Sequence, residues 1–281
     1  MRKLIFCMMV LCSFILLPAS GWAASGTTDP VEPPRTVTPE SFYLAMMMAA
    51  EKNDVDAMLN LGVLYEQGIG VPKNFTQALS WYEKSGNAGS ADGNYRAGLC
   101  YETGLGTTAN LSTAMKYFEK AAAKGFSPAQ YKLGSFYLTG RGVSQNNAKG
   151  IEFITKAAQA GNGAAANEMG FINLNGMYDQ KKDAGKARDW FVKSAELGHL
   201  EGMKNLAVMF KDGIGKKPDP AGALRWYLIA QKGGLRTNDL DDVIAGLKKD
   251  LKPGQVKDAE ESADKWVEAF TKKKTAEAEK K

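Results

Sequence analysis

A chain of 281 residues with 44% hydrophobic and 24% charged residues has the composition of a soluble globular protein, which excludes wholesale disorder. Its formal charge of +5, from 36 basic and 31 acidic residues, is too small to point to nucleic acid. Its single histidine excludes a catalytic histidine pair or a multi-histidine metal site.

The chain opens with Arg2 and Lys3, an apolar run from Leu4 to Leu17, then Pro18 and small residues ending at Gly21-Trp22-Ala23. A run of 14 residues is too short to span a bilayer, and the pattern predicts a signal peptide over 1–23, cut after Ala23. A periplasmic or secreted protein is expected. Cys7 and Cys12 lie inside the apolar run, following Phe6 and Leu11, so neither a lipid anchor nor any stable membrane anchor is expected after cleavage. Loss of Arg2 and Lys3 lowers the charge from +5 to +3 and leaves Cys100 as the sole cysteine, unable to form an internal disulfide. Cys100 sits in an apolar helical segment and reads as a packed thiol. Residues 24–40, with Pro30, Pro33, Pro34 and Pro39 among Ser, Thr and Gly, predict a disordered linker with order beginning near Ser41. Residues 42–53 read as a lone helix that covers the first of a series of helical hairpins.

From there the chain repeats itself. Gly68-Ile69-Gly70, Gly104-Leu105-Gly106, Gly140-Arg141-Gly142, Gly176-Met177-Tyr178 and Gly213-Ile214-Gly215 recur at steps of 36, 36, 36 and 37. Gly89, Gly125, Gly161, Gly198 and Gly234 keep that register, as do Trp81, Tyr117, Phe153, Trp190 and Trp226. Ala57, Leu61 and Tyr65 place one apolar residue per turn on one face of a first helix, and Gly62 beside them permits close approach of a second helix. Gly68 and its equivalents can take the left-handed conformation that closes a helix. Asn74, Asn110, Asn146, Asp183 and Asp219 then fit the N-cap of the second helix, with Gln77 completing a capping box and Pro220 at a first helical position. The second helix pairs small and large residues one turn apart, as in Ala78/Trp81, Ala114/Tyr117, Ala187/Trp190 and Ala223/Trp226, which are expected to interdigitate with the first helix. Two short helices per repeat are marginal alone, so stability is expected to come from stacking.

The repeats are assigned to about 54–89, 90–125, 126–161, 162–198 and 199–234 within a domain over 41–236. Residues 237–271 read as C-terminal capping helices, over 238–250 and 255–271, separated by Pro253-Gly254 and with Trp266 packing inward. Residues 272–281, rich in Lys, Ala and Glu, read as a charged, fraying tail.

The run Leu61-Gly62-x-x-Tyr65-Glu66-x-Gly68-x-Gly70-Val71, followed by Ala78-x-x-Trp81-Tyr82-x-Lys84, closely resembles the Sel1-like repeat, a relative of the tetratricopeptide repeat, and the resemblance spans roughly residues 42–235. It implies an all-α chain, a right-handed α-solenoid of five helix-turn-helix repeats with helical caps. It also implies an adaptor that joins proteins, so a protein or peptide partner is expected; the residues add the expectation of no enzyme activity, no cofactor, no nucleic acid and a monomer. Cysteine-rich members with one disulfide per repeat have been linked to penicillin binding, which implies the alternative of a cell-envelope hydrolase or β-lactam-binding enzyme. This chain lacks those cysteines. It departs from the pattern at Tyr178, at Asn173 where other repeats have an aromatic, at one extra loop residue in repeat four, and at Gly150 in repeat three. The array is expected to bend or loosen around residues 143–182.

If Ala57, Leu61 and Tyr65 face the hairpin interior, helical geometry puts Leu59, Val63 and Glu66 on the other side. Their equivalents are Tyr95, Leu99 and Glu102; Tyr131, Ser135 and Leu138; Asn167, Phe171 and Leu174; and Lys204, Val208 and Lys211. By similarity to tetratricopeptide arrays this set lines a concave groove, and the candidate partner-binding residues are Leu59, Val63, Tyr95, Leu99, Tyr131, Asn167, Phe171, Lys204 and Val208. The competing reading is that these side chains pack against the adjoining repeat. No catalytic site is expected. His199 reads as an exposed turn residue, none of the Gly-x-Gly loops continues into a phosphate-binding motif, and Asp241-Asp242 and Glu260-Glu261 read as solvated helix charges.

Overall fold

The computed structural model describes residues 38–279, and among these every regular element is an α-helix. The leader at 1–23 and residues 24–37 of the expected linker lie outside them. The first helix, α1 (Pro39–Glu51), begins two residues before the expected onset of order. Thr38 caps it by accepting from Ser41 N at 3.2 Å, and Pro39 occupies its first turn, where the missing N–H costs nothing.

Five helical hairpins follow. The first helices of the pairs are α2 (Val55–Gln67), α4 (Ala91–Thr103), α6 (Ser127–Thr139), α8 (Gly163–Asn175) and α10 (Leu200–Asp212). Their partners are α3 (Phe75–Asn87), α5 (Leu111–Ala123), α7 (Asn147–Gln159), α9 (Ala184–Glu196) and α11 (Pro220–Lys232). Two helices close the described chain, α12 (Leu240–Asp250) and α13 (Pro253–Glu279). Pro253 starts α13 rather than lying in a gap, and residues 272–279, expected to fray, continue that helix with exposed side chains.

The cap column behaves as its chemistry dictates. Asn74, Asn110, Asn146, Asp183 and Asp219 each accept from a backbone N–H three residues on, at 2.9–3.1 Å. Each also donates its own N–H to the preceding helix, at Tyr65, Tyr101, Tyr137, Asn173 and Phe210 O, within 2.7–2.8 Å. The loop glycines divide their work. Gly68 closes α2 at φ 76°, whereas the second glycine of the loop meets the preceding repeat: a Cβ on Gly142 would lie 2.8 Å from Leu111 Cβ. In repeat four that second position is Tyr178 at φ 54°, followed by Asp179 at φ 65°. The longer loop there replaces backbone contact with a side-chain bond, Asn147 Nδ2 donating to Asp179 Oδ2 at 2.7 Å.

Close helix contact is set by Gly62, Gly98, Gly134 and Gly170; a Cβ on Gly98 would stand 2.6 Å from Phe118 Cε1. The large residues meeting these glycines are Tyr82, Phe118, Ile154 and Phe191, all essentially fully buried. This corrects the expected Trp81 column, which lies one residue earlier and only half-buried at Trp81, Tyr117, Phe153 and Trp190. A lysine three residues on, Lys84, Lys120, Lys156 or Lys193, lies over each ring at 3.9–5.8 Å from its centroid. Trp226 is the exception and is buried, with Trp266 edge-on at 5.8 Å and Phe270 stacked on Trp266 at 4.9 Å.

At Gly150, one of the departures in the stretch 143–182, the packing is close. A Cβ on Gly150 would lie 2.6 Å from Leu138 Cγ, so the missing methyl is matched by a larger residue in the partner helix, and Leu138 is 3% exposed.

Candidate functional site

The second face of α2, α4, α6, α8 and α10 is where adjacent repeats meet, and its chemistry changes along the array. Glu66 of repeat one accepts from Tyr82 Oη within its hairpin and reaches Arg96 of repeat two at 3.8 Å. One repeat on, the Glu102 side chain is 5% exposed and lies between Lys132 at 3.0 Å and Arg141 at 2.9 Å, both from repeat three. Two further latches span these joints: Asn94 donates its amide to Gly86 O at 3.1 Å, and Gln130 donates to Ala122 O at 3.4 Å. Glu83 of repeat one accepts from both Tyr101 and Tyr117 of repeat two, at 3.0 and 2.8 Å.

At the next joint the acidic position is Leu138, and the cation position is Glu168. Among the described residues no hydrogen bond or ion pair forms to the side chain of Glu168, which is half-buried. Burial raises its carboxyl above the usual range. The neighbouring Tyr131 hydroxyl is raised too, first by its own burial and then by the Glu168 charge. Across the last joint, Asn205 donates to Asn167 Oδ1 at 2.8 Å.

The nine candidate residues therefore separate. Leu59 is buried against the first hairpin, and Val63 packs on the same cluster. Tyr95 lies against Phe118 and Phe126, with ring centroids 5.6 and 5.3 Å away, and Leu99 packs beside them. Val208 packs on the C-terminal cluster. Tyr131 is half-buried, Asn167 is held by Asn205, and Lys204 is paired with Glu201 at 2.6 Å. Phe171 alone among the nine is an exposed large hydrophobic, 37% open, with its edge on Phe191 at 5.3 Å. Leu59, Val63, Tyr95, Leu99 and Val208 thus join neighbouring elements, as does Tyr131, which packs on the apolar cluster shared by repeats three and four, while Asn167 and Phe171 lie one turn apart on α8. Glu168 lies between Asn167 and Phe171 on α8 and is not among the nine; the change of residue type along Asn60, Arg96, Lys132, Glu168 and Asn205 is the signal in the sequence that points to it.

Two chemically suggestive residues are structural. Cys100 is buried, and its thiol is pushed up to about 11 by desolvation, so it stays protonated at neutral pH and is a poor nucleophile. His199 is not an exposed turn residue. It is half-buried and caps α10, its Nδ1 accepting from Gly202 N at 3.1 Å, in register with Asp54, Ser90 and Asn162 at the starts of α2, α4 and α8. No group of three His, Cys, Asp or Glu side chains placed to hold a metal ion, and no helix long and apolar enough to cross a membrane, occurs among the described residues.

Comparison with known proteins places this geometry. The family model for the Sel1 repeat matches residues 55–90, 91–126, 127–162, 163–199 and 200–234. A Sel1 repeat protein from Oxalobacter formigenes is 28% identical, with a TM-score of 0.65, over 80% of this chain and 92% of that one. A protective antigen present in uropathogenic Escherichia coli strains is 20% identical, with a TM-score of 0.54, over 87% of this chain and 68% of that one. An immunity protein from Pseudomonas aeruginosa is 23% identical, with a TM-score of 0.50, over 74% and 81% of the two chains. The last two likenesses are of fold alone. A search of curated proteins found no match. Proteins built from Sel1 repeats are generally non-enzymatic scaffolds for protein–protein interaction. With five matched repeats and a helical solenoid as its structure, the chain belongs to the Sel1 repeat family.

Proposed function

We propose that the protein is an exported adaptor that holds a segment of a partner protein in the concave groove lined by α2, α4, α6, α8 and α10. The observation that carries this reading is on repeat four, where Phe171 keeps 37% of its surface exposed although the hairpin interior is already filled by Phe191, Ile172 and Met169. Exposed aromatic surface on a rigid helical face is the usual anchor for a bound segment. Export is supported by the leader pattern of Arg2, Lys3 and the apolar run to Leu17. An envelope enzyme, a sensor or a complex that the adaptor regulates would each fit as the partner. A hydrolase or β-lactam-binding enzyme finds no support in a chain whose mature cysteine is a buried, protonated thiol.

Crosslinking in the native envelope followed by mass spectrometry tests the proposal. Tyr95→Ala should lower the melting temperature, because Tyr95 is wedged between Phe118 and Phe126. Phe171→Ala should cost less stability than Tyr95→Ala, stay folded, and lose the crosslinked partner. A Phe171→Ala protein that captures the same partner at the parental level rejects the groove.

A further inference from the structure

We propose that the groove at repeat four receives a basic side chain: an extended partner segment sets a lysine or arginine against Glu168, beside Tyr131 and Phe171. This rests on the groove being the partner face and names the chemistry of what lies there.

At the joints between repeats, Arg96 and Lys132 occupy the position of Glu168 in repeats two and three, and each is met by a glutamate of the preceding repeat, Glu66 or Glu102. Before repeat four the preceding residue is Leu138, whose side chain is turned into the space left by Gly150 and is 3% exposed. The column has changed sign from cation to carboxylate just where its former acidic partner has become part of the core. Cations of the adjoining repeats are committed elsewhere: Lys132 and Arg141 to Glu102, and Lys204 to Glu201.

Fold geometry does not demand a carboxylate here. Asn60 and Asn205 hold the same position in repeats one and five, so an uncharged amide fits the column. A half-buried carboxylate without a counter-charge opposes folding through lost hydration. A bound cation would offset that cost. Phe171 lies one turn on from Glu168 on α8, where residues three apart are surface neighbours, and its ring is exposed. Tyr131 is close enough for the Glu168 charge to act on its hydroxyl. A carboxylate with aromatic side chains near it suits a guanidinium or ammonium group, which can gain an ion pair and ring contacts together. The same charge disfavours an acidic segment.

Nuclear magnetic resonance titration of the mature chain can test this with three blocked pentapeptides, Ala-Leu-Arg-Leu-Ala and the same sequence with Gln or Glu at the centre. The arginine peptide should shift amides of α8 and the adjoining turns of α6 and α10, at least fivefold more tightly than the glutamine peptide, and the glutamate peptide should bind weakest. Glu168→Gln should remove the preference for arginine while leaving the folded spectrum intact, and Phe171→Ala should weaken the arginine and glutamine peptides alike. Equal affinity for arginine and glutamine, or an arginine affinity unchanged in Glu168→Gln, overturns the charge assignment and leaves the groove standing. Shifts confined to other surfaces, or none up to the solubility limit, overturn the groove itself.

Discussion

The two halves of the array hold their repeats together by different means. Between repeats one and three the joints are polar: Glu66 to Arg96, Glu102 to Lys132 and Arg141, and the amides of Asn94 and Gln130 on carbonyls of the preceding helix. Between repeats three and five the equivalent positions are Leu138 and Leu174, and Ala166 and Met203, and the largest apolar cluster of the described residues lies at that end, continuous with α12 and α13. One backbone plan thus accepts either a latch of charges and amides or a seam of aliphatic contacts. At these positions charged and amide partners serve the first two joints and apolar packing replaces them in the later ones, which keep directional bonds elsewhere, Asn147 on Asp179 and Asn205 on Asn167.

Transplanting one solution into the other is the most disruptive way to break this contrast. Glu102→Leu should cost on the order of 1–3 kcal/mol, because Ala114 stands where Gly150 makes room for Leu138, and because Lys132 and Arg141 lose their shared acid. Adding Ala114→Gly should recover part of the loss even though glycine is the poorer helix former by about 1 kcal/mol. Strict additivity in thermal melts would show that the two joints are not alternatives.

The reciprocal change sharpens the same point with a smaller effect. Gly150→Ala improves helix propensity, yet its methyl would fall on Leu138, so a net loss of about 1 kcal/mol is expected where an open helix site would gain. A raised melting temperature would mean that Leu138 moves aside freely.

The smallest effects are in pH dependence, and repeats four and five contribute with opposite sign. Burial lowers the His199 pKa, and protonation would remove the Nδ1 acceptor that caps α10. The unfolded chain then takes up that proton first, near pH 6.5, so stability falls as the pH drops below about 6.5 and levels off below the folded value. Burial raises the Glu168 pKa, so the folded state takes up that proton first and gains stability as the pH falls through the folded value. Relative to the parent, His199→Asn should keep the cap and flatten the acid loss, by up to about 1 kcal/mol, and Glu168→Gln should steepen it. Parallel stability–pH curves for all three proteins would contradict both assignments.

Much of the fold is legible in the sequence because each repeated column answers a local question: where a helix starts, where it stops, and where two helices touch. Asn74 and Gly68 can be read as cap and stop from residue type alone. The aromatic column is set one residue early by periodicity, since Trp81 and Tyr82 are both large and spacing does not say which one points inward. Structure decides it through Gly62, which leaves space only for the second. His199 is recognisable as a cap only when set in register with Asp54, Ser90 and Asn162. The joints are the least legible, because Glu102 with Lys132 and Arg141, or Leu138 with Gly150, are pairings across 12 to 39 residues that no local pattern announces. Of the candidate site, Tyr131, Asn167 and Phe171 are within reach of helical geometry, while Glu168 requires knowing which of its neighbours are already engaged.

The residue that opens each second helix is tied on two sides, its side chain to the helix it begins and its backbone N–H to the helix before it. Such a double tether fixes where the new helix begins whatever the length of chain that leads to it. Repeat four already carries one more residue between Gly176 and Asp183 without displacing the helix beyond. Length variation during the divergence of such proteins should accumulate in that stretch first, and foreign sequence grafted for labelling or display would be tolerated there better than anywhere else in the hairpin.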